Sequence, residues 1–153
     1  MRILMVCLGN ICRSPLAEGI MRQKAWDAGI EIDVDSRGTS GFHIGESPDH
    51  RTQKNALSHG IDLSQLKAAQ FRAEDFDSFD IIFVMDKDNF RNVADLARNA
   101  NDMSKIRLIL TETDEKGYPS EVPDPYFGGE AGFEVVYQLL DRSCRDFLNK
   151  RRK

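Results

Sequence analysis

Short apolar runs alternate with longer amphipathic stretches along the chain. Two runs, Arg2 to Val6 and Asp80 to Met85, are apolar nearly throughout, which is typical of strands buried on both faces of a parallel sheet. Two further segments, about Glu31 to Asp35 and Ile106 to Leu110, are predicted as the second and fourth strands in chain order. The hydrophobic pattern therefore predicts four strands, spread over most of the chain.

The segments between these strands have the pattern of helices. Apolar spacing and terminal glycines predict four of them: Pro15 to Ala28, Ser47 to Gly60, Asp88 to Ala100 and Ala131 to Lys150. The last helix is the clearest, because its apolar residues recur at intervals of three and four: Phe133, Val136, Tyr137, Leu140, Cys144, Phe147 and Leu148. We expect this stripe to face the core.

The alternation of strands and helices determines the fold class. It predicts right-handed crossovers and a doubly wound α/β fold, a four-stranded parallel sheet with helices on both faces. The length of 153 residues suits one domain, which we expect to span residues 1–153. Ligands of such sheets bind beyond the carboxyl ends of the strands. Cys7, Ser36, Asp86 and the segment 111–129 follow the four strands, so the site is expected there.

The segment from Cys7 to Pro15, with the sequence CLGNICRSP, has the residues of a phosphate-binding loop after the first strand. Ser14 followed by Pro15 is typical of an N-cap and a first helical residue, so the loop should curl around a helix N-terminus. Free backbone amides and the positive end of the helix dipole favour a bound phosphate dianion. The same surroundings favour the thiolate form of Cys7.

Three other loop residues fit this interpretation. Arg13 can fold back and give two parallel hydrogen bonds to phosphate oxygens, which a lysine cannot match. Asn10 lies in the middle of the loop, where a tight turn requires a positive φ, and Gly9 is expected to supply further backbone freedom. A cysteine and an arginine six residues apart are by themselves a weak signal, since Cys7 could be a buried cysteine at a strand end and Arg13 a surface arginine. The complete string favours the active-site loop.

This loop, together with Asp124-Pro125-Tyr126 near the other end, resembles the signature of the low-molecular-weight protein tyrosine phosphatases. The similarity extends over essentially the full chain. The resemblance implies a cysteine-dependent phosphoric monoester hydrolase that cleaves phosphotyrosine monoesters through a phosphocysteine on Cys7. Its substrates are then phosphotyrosine-containing proteins or small aryl phosphates, with inorganic phosphate as product and inhibitor. The resemblance implies no cofactor.

Asp124 is the candidate general acid. Pro123 and Pro125 fix φ on both sides of it, so the carboxyl is held on a stiff loop from which it can protonate a leaving oxygen. A surface Pro-Asp-Pro turn is the competing interpretation. In the family the acid precedes Pro-Tyr in this manner, and Tyr126 corresponds to the aromatic residue that flanks the substrate ring.

Further substrate-binding residues are assigned from the loop and from the resemblance. They are Leu8, Gly9, Asn10, Ile11, Cys12, Ser14 and Phe42, in addition to Tyr126. Core packing is the alternative for Ile11 and for Phe42, which stands where the family often has tryptophan. Relatives with cysteines at the positions of both Cys7 and Cys12 are reversibly oxidised, so the resemblance also implies a redox-sensitive site.

A supporting set of polar residues is assigned in the same way. Asn10, Ser14, Ser36 and His59 match family positions that hydrogen-bond to one another and hold the phosphate loop in shape. For His59 the alternative is a cation at the C-terminus of the second helix, where the helix dipole favours positive charge.

Composition restricts the remaining function classes. A net charge of −4 and a pI near 5.4 argue against a general nucleic-acid binder. The longest apolar runs are too short for a membrane span, and no signal-peptide pattern precedes the first strand. Three cysteines, one of them needed as a thiolate, indicate a reducing compartment and a cytoplasmic location. His43 and His50 lack ligand spacing, so no metal site is predicted.

Two other activities of this fold remain as alternatives. Protein arginine phosphatases usually have threonine at the position of Ile11, and a branched apolar residue favours an aryl ring over a guanidinium. Arsenate reductases need further relay cysteines near the third strand, where residues 83–86 contain none, and Cys144 belongs to the last helix. A phosphopeptide-binding module without activity is disfavoured, because Cys7, Arg13 and Asp124 are all present.

Overall fold

The computed structural model describes residues 1–125 and 129–151. Within these residues a parallel sheet contains four strands in the order β2-β1-β3-β4. The strands are β1 (Arg2–Cys7), β2 (Asp33–Gly38), β3 (Ile81–Val84) and β4 (Ile106–Leu108). The helices of the described residues are α1 (Arg13–Asp27), α2 (His50–Ser58), α3 (Asp75–Ser78), α4 (Lys87–Ala94), α5 (Ala100–Ser104) and α6 (Glu130–Asn149), and a short 3₁₀ helix, Ile109–Glu112, follows β4.

Strand β1 occupies the centre of the sheet and has a different hydrophobic cluster on each face. Ile3 and Met5 belong to the cluster that α1 and α6 cover. Leu4 and Val6, which point to the opposite face, pack against Phe76 of α3 and against α4. Burial on both faces explains why β1 and β3 are apolar nearly throughout. The predicted doubly wound α/β fold with helices on both faces is confirmed.

The strand register places the predicted functional segments at one edge of the sheet. Cys7, the last residue of β1, is paired with Gly38 at the end of β2. Val6 is paired with Val84, the last residue of β3. The carboxyl ends of three neighbouring strands therefore lie side by side, with the loop that follows β1 at the centre.

The last helix agrees closely with its prediction. Helix α6 runs from Glu130 to Asn149, and every residue of the predicted apolar stripe is buried. This stripe packs mainly against α1 and the 3₁₀ helix after β4. A long helix with one apolar face has a strong periodic signal, which explains the accuracy of the prediction. None of the helices in the described part of the chain is long and apolar enough to cross a membrane.

Other boundaries differ from those predicted. Strand β2 begins and ends later than expected, because its pairing with β1 continues to the end of both strands. Helix α2 begins at His50 rather than at Ser47, because the carboxylate of Asp49 accepts a hydrogen bond from the Arg51 amide and caps the helix. The predicted third helix, Asp88 to Ala100, ends earlier, at Ala94 of α4, and a separate helix α5 begins at Ala100 with Asn99 as its N-cap. Helix α3 was not predicted.

Candidate active site

A loop of phosphate-binding type lies between β1 and α1. Cys7 ends the strand and Arg13 begins the helix, so residues 8–12 form the loop at the helix N-terminus. The loop borders a cavity of about 230 Å³ that is lined by Cys7, Leu8, Gly9, Ile11, Cys12, Arg13, His43 and Asp124. The structure thus brings the three predicted catalytic residues, Cys7, Arg13 and Asp124, to a single cavity.

The sulfur of Cys7 is supported by a buried polar chain. Ser14 Oγ lies 3.0 Å from Cys7 Sγ. Asn10 Nδ2 donates to Ser14 Oγ at 2.8 Å and to Ser36 Oγ at 3.0 Å. Because Ser14 accepts the bond from Asn10, its own hydroxyl proton can be donated to the sulfur; the other acceptor, the Arg37 carbonyl, is more distant at 3.4 Å. The chain therefore fixes the Ser14 hydroxyl beside the sulfur of Cys7.

Asn10 holds the middle of the loop in its turn. Its φ is 58°, and it is the only residue other than glycine with a positive φ in the described part of the chain, which confirms the predicted backbone conformation. Its side-chain oxygen accepts a hydrogen bond of 3.0 Å from the Ala69 amide. The buried Asn10 side chain therefore forms hydrogen bonds with both its amide nitrogen and its amide oxygen. The nitrogen binds residues near Cys7, and the oxygen binds a neighbouring loop.

Two predictions about the loop are wrong in detail. Ser14 is not the N-cap: Cys12 occupies that position, and Ser14 is the second residue of α1, with its hydroxyl near Cys7. Gly9 is not among the glycines with a positive φ. It is needed for space, because a Cβ atom there would lie 3.0 Å from Cδ2 of His43. Gly38 is likewise constrained, since a Cβ atom would lie 2.8 Å from the Leu8 carbonyl oxygen.

The guanidinium of Arg13 is buried and oriented by acceptors from two other segments. Its Nη1 donates to Asp86 Oδ2 at 2.7 Å and to the Val122 carbonyl at 3.0 Å. Its Nη2 lies 3.8 Å from a carboxylate oxygen of Asp124. Burial alone would lower the pKa of Arg13, but the negative charges of Cys7 and Asp86 raise it above its ordinary value. Arg13 is therefore a fixed positive charge at the cavity.

Asp86 has two roles. Its Oδ1 accepts a hydrogen bond of 2.8 Å from the Asn89 amide, so it is the N-cap of α4. Its Oδ2 binds Arg13, a contact that the sequence analysis missed. The position of Asp86 directly after β3, at the same sheet edge as Cys7, was the available signal.

Asp124 reaches the cavity from the long segment that precedes α6. The Val122 amide donates to the Met85 carbonyl at 2.8 Å, which attaches this segment to the end of β3. The Asp124 side chain is 45% exposed, so it lies at the entrance rather than in the interior. A carboxyl group in this place can exchange protons with a substrate leaving group and with water.

Glu18 is a supporting residue that the sequence analysis did not identify. It lies four residues after Ser14 on α1, and its buried Oε1 accepts a hydrogen bond of 2.7 Å from Ser36 Oγ. Burial raises the pKa of Glu18, while hydrogen bonds from Ser36 and Arg22 oppose the shift. The spacing of four along a helix was the signal, because it places Glu18 and Ser14 on one face.

His59 does not occupy its predicted supporting position. It caps the C-terminus of α2, its Nε2 is 2.8 Å from Glu134 Oε1, and its ring stacks on Tyr137 with centroids 3.5 Å apart. The predicted contact with Asn10, Ser14 and Ser36 is therefore wrong, and the helix-end alternative describes its place. Because α2 packs against α6, the His59 ring lies against α6 and not against the phosphate loop. Among the described residues, the remaining three do form a network.

The predicted substrate-binding residues fall into four groups. Leu8, Gly9, Ile11 and Cys12 line the cavity. Asn10 and Ser14 do not line the cavity and belong to the polar chain beside Cys7. Phe42 does not line the cavity either and is 85% exposed; its neighbour His43 lines the cavity instead. Tyr126 lies outside the described residues.

A cysteine held at a helix N-terminus with an arginine and a carboxyl group is the arrangement of a cysteine-dependent phosphohydrolase. The sequence profile described as low molecular weight phosphotyrosine protein phosphatase matches residues 2–153, and the chain belongs to this family. The human protein named low molecular weight phosphotyrosine protein phosphatase is 44% identical over 154 residues, which cover 97% of this chain and 94% of the human one.

Solved structures are similar over nearly the whole chain. A protein tyrosine phosphatase from Entamoeba histolytica has a TM-score of 0.92 and 36% sequence identity, covering 99% of this chain and 96% of that one. An arginine phosphatase from Drosophila has the same TM-score of 0.92, with 31% identity over 100% of this chain and 99% of its own. The fold is therefore shared by relatives that are named for different phosphoamino acids.

Proposed function

We propose that this chain is a protein tyrosine phosphatase that hydrolyses phosphotyrosine monoesters through a phosphocysteine intermediate on Cys7. The observation that carries the proposal is the meeting of Cys7, Arg13 and Asp124 at one cavity beside the N-terminus of α1. Family membership over residues 2–153 supports the same activity.

In the first step the Cys7 thiolate attacks phosphorus, the S–P bond forms and the bond from phosphorus to the tyrosine oxygen breaks. Asp124 gives its proton to the leaving oxygen, so that tyrosine departs as a neutral phenol. The Arg13 guanidinium and the loop amides stabilise the negative charge on the transferring phosphoryl oxygens. Because Arg13 is already held by Asp86 and Val122, little reorganisation is needed during the reaction.

In the second step water attacks the phosphocysteine. Asp124, now ionised, accepts a proton from the water, the S–P bond breaks, and Cys7 returns to the thiolate. Inorganic phosphate is the product. It fits the same loop, so we expect it to inhibit by competing with substrate. No cofactor enters either step.

Ile11 supports an aryl substrate over phosphoarginine. It lines the cavity and is partly exposed, so it presents a branched apolar side chain to the leaving group. An apolar wall suits a phenyl ring and does not solvate a guanidinium. Arginine phosphatase activity, for which the Drosophila relative is named, remains the alternative.

Arsenate reduction is less well supported, because it needs a cysteine relay. The third cysteine of the chain, Cys144, is fully buried on α6. Helix α6 covers a face of the sheet rather than the loop. A cytoplasmic location follows from the need for a reduced Cys7. We also propose that the site is redox-sensitive through Cys7 and Cys12, which are both free cysteines at the cavity.

The deciding experiment compares initial rates on peptides that contain phosphotyrosine, phosphoserine or phosphoarginine, with arsenate reduction measured in parallel. We expect phosphotyrosine to be cleaved fastest and the Cys7→Ser variant to be inactive while it still binds inorganic phosphate. Rapid quenching should trap one phosphoryl group on Cys7. Faster hydrolysis of phosphoarginine, or turnover by the Cys7→Ser variant, would contradict the proposal.

A further inference from the structure

His43 lies at the cavity entrance and is held by a carboxylate. Its Nδ1 is 2.9 Å from Glu46 Oε2, three residues later in the chain. Its ring lies against the phosphate loop, because Cδ2 would be 3.0 Å and Nε2 3.8 Å from a Cβ atom on Gly9. The Nδ1 side therefore faces Glu46, and the opposite edge faces the loop and the cavity. This position resembles that of a histidine oriented by a carboxylate, with one ring nitrogen left for another partner.

The turn that carries His43 and Glu46 is fixed to the neighbouring chain by backbone hydrogen bonds. The Glu46 amide donates to the His43 carbonyl at 2.9 Å. The Gly45 amide donates to the Ala68 carbonyl, and the Ala68 amide donates to the Glu46 carbonyl, both at 2.8 Å. With the ring also in contact with Gly9, the imidazole has a defined place relative to the phosphate loop.

His43 is a basic side chain at the cavity that is also exposed to solvent. Of the described residues that line the cavity, Arg13 and His43 are the ones that can carry positive charge. Arg13 is buried and bound to Asp86, whereas the His43 side chain is 31% exposed. The acidic groups around His43 are Glu46 on its own turn, and Cys7 and Asp124, which line the same cavity. Of these two basic side chains, His43 is thus the one available to parts of a substrate outside the phosphate loop.

We infer that His43, oriented by Glu46, is a specificity-determining residue that favours phosphotyrosine peptides with an acidic residue next to the phosphotyrosine. This inference rests on the proposed function. In the imidazolium form, Nε2–H donates to the peptide carboxylate while Nδ1–H donates to Glu46. In the neutral form the pair keeps the negative charge of Glu46, which repels an acidic peptide.

Histidine changes charge between about pH 5 and 8, so the preference should depend on pH. Two peptides that differ only in glutamate or glutamine beside the phosphotyrosine isolate the effect. The ionisations of Cys7, Asp124 and the substrate phosphate affect both peptides equally and cancel in the ratio of their kcat/KM values. An exposed ion pair contributes modestly, so we expect the glutamate peptide to be preferred about three- to fivefold at pH 6, and the preference to vanish near pH 8.5.

Variants separate the role of His43 from simple packing. We expect His43→Gln to give a ratio that does not change with pH. In Glu46→Gln, the imidazole loses the charged partner that orients it, so the preference at pH 6 should be smaller than in the parent. His50→Gln is the matched control, because His50 is exposed at the start of α2 and does not line the cavity in the described structure; its ratio should follow the parent.

The outcomes distinguish this inference from the proposed function. If the parent cleaves neither peptide, the phosphatase proposal itself fails, and the inference fails with it. If both peptides are cleaved and the ratio is the same at every pH, or if His43→Gln retains the pH-dependent ratio, the phosphatase proposal stands and the inference about His43 is overturned. A ratio that becomes independent of pH only in the His43 variant supports it.

Discussion

The carboxylate of Asp86 and the guanidinium of Arg13 form an ion pair of 2.7 Å that joins the N-cap of α4 to the first residue of α1. Because Asp86 also accepts the Asn89 amide, its position is set by the helix that it caps. Arg13 is therefore oriented by the start of α4 before any phosphate binds. Preorganisation of this kind is what an anion-stabilising site requires.

Asp86→Asn should separate the two roles of Asp86. Asparagine is also a good N-cap, so α4 should remain capped and the melting temperature should change little. The ion pair with Arg13 becomes a hydrogen bond from the guanidinium to an uncharged amide oxygen, and we expect kcat/KM to fall about tenfold, which corresponds to ~1.4 kcal/mol. Steady-state rates and thermal melts measure the two effects. The control is Asp88→Asn on the first turn of α4, an exposed site that pairs with Arg91. Unchanged kcat/KM in Asp86→Asn would show that Arg13 needs no such partner.

Asp124→Ala should slow the reaction most for substrates with poor leaving groups. A phenol of low pKa departs without protonation, whereas an ordinary tyrosine oxygen needs the proton that Asp124 supplies. A series of aryl phosphates with increasing phenol pKa should therefore show a growing ratio of parent to variant kcat/KM, reaching about 10²–10³ for the poorest leaving group. Equal slowing across the series would remove Asp124 from the role of general acid.

The loop after β1 could be predicted because its information is local. Consecutive residues supply the nucleophile, the arginine and the amides, and the requirement for a positive φ at Asn10 follows from the tightness of the turn. The buried strands and the apolar stripe of α6 were predictable for a related reason. In each of them one hydrophobic pattern continues over several consecutive residues.

The supporting contacts could not be predicted in the same way, because they join distant segments. Asp86 contacts Arg13 across 73 positions of the chain, and His59 contacts Glu134 across 75. From the sequence, Asp86 and His59 have the pattern of ordinary helix-end residues. Their contacts with Arg13 and Glu134 form only when the helices pack on the sheet and on one another. His43 was missed because its neighbour Phe42 had the more conspicuous side chain, while the turn directs the imidazole to the cavity.

The pair formed by Glu134 and His59 should contribute to stability in a pH-dependent manner. Hydrogen bonds from Gln138 and His59 lower the pKa of Glu134 to about 2. A carboxyl group with a lowered folded-state pKa stabilises the fold above its unfolded pKa, near 4.3, and loses this contribution as the pH falls toward 2. Because Glu134 is 43% exposed, solvent screening limits the contribution to about 1 kcal/mol or less.

Urea unfolding of the parent and of Glu134→Gln between pH 7 and pH 2.5 measures this effect. The variant should be less stable at pH 7, and the difference in the free energy of unfolding should shrink below about pH 4. Glu31→Gln, an exposed change next to β2, is the control and should show no comparable trend. A difference that stays constant down to pH 2.5 would mean that glutamine disturbs the packing of α2 on α6 rather than an ionic interaction.

Cys12 should protect Cys7 from irreversible oxidation. Peroxide oxidises an accessible thiolate to a sulfenic acid, and the thiol of Cys12 can then displace water from it to form a disulfide. Burial raises the pKa of Cys12 to about 12. Cys12 is therefore a thiol at neutral pH, so the disulfide should form slowly there and faster as the pH rises.

After repeated brief peroxide pulses, each followed by dithiothreitol, the parent should recover most of its starting activity, and phosphate present during the pulse should slow inactivation by occupying the loop. Cys12→Ser should recover progressively less of its own starting activity, because its sulfenic acid is exposed to further, irreversible oxidation. Cys144→Ser is the matched control, since Cys144 is buried on α6 away from the cavity, and it should recover as the parent does. Raising the pH of the pulse should improve recovery of the parent but not of Cys12→Ser. Equal recovery of the parent and Cys12→Ser would leave Cys12 with a packing role alone.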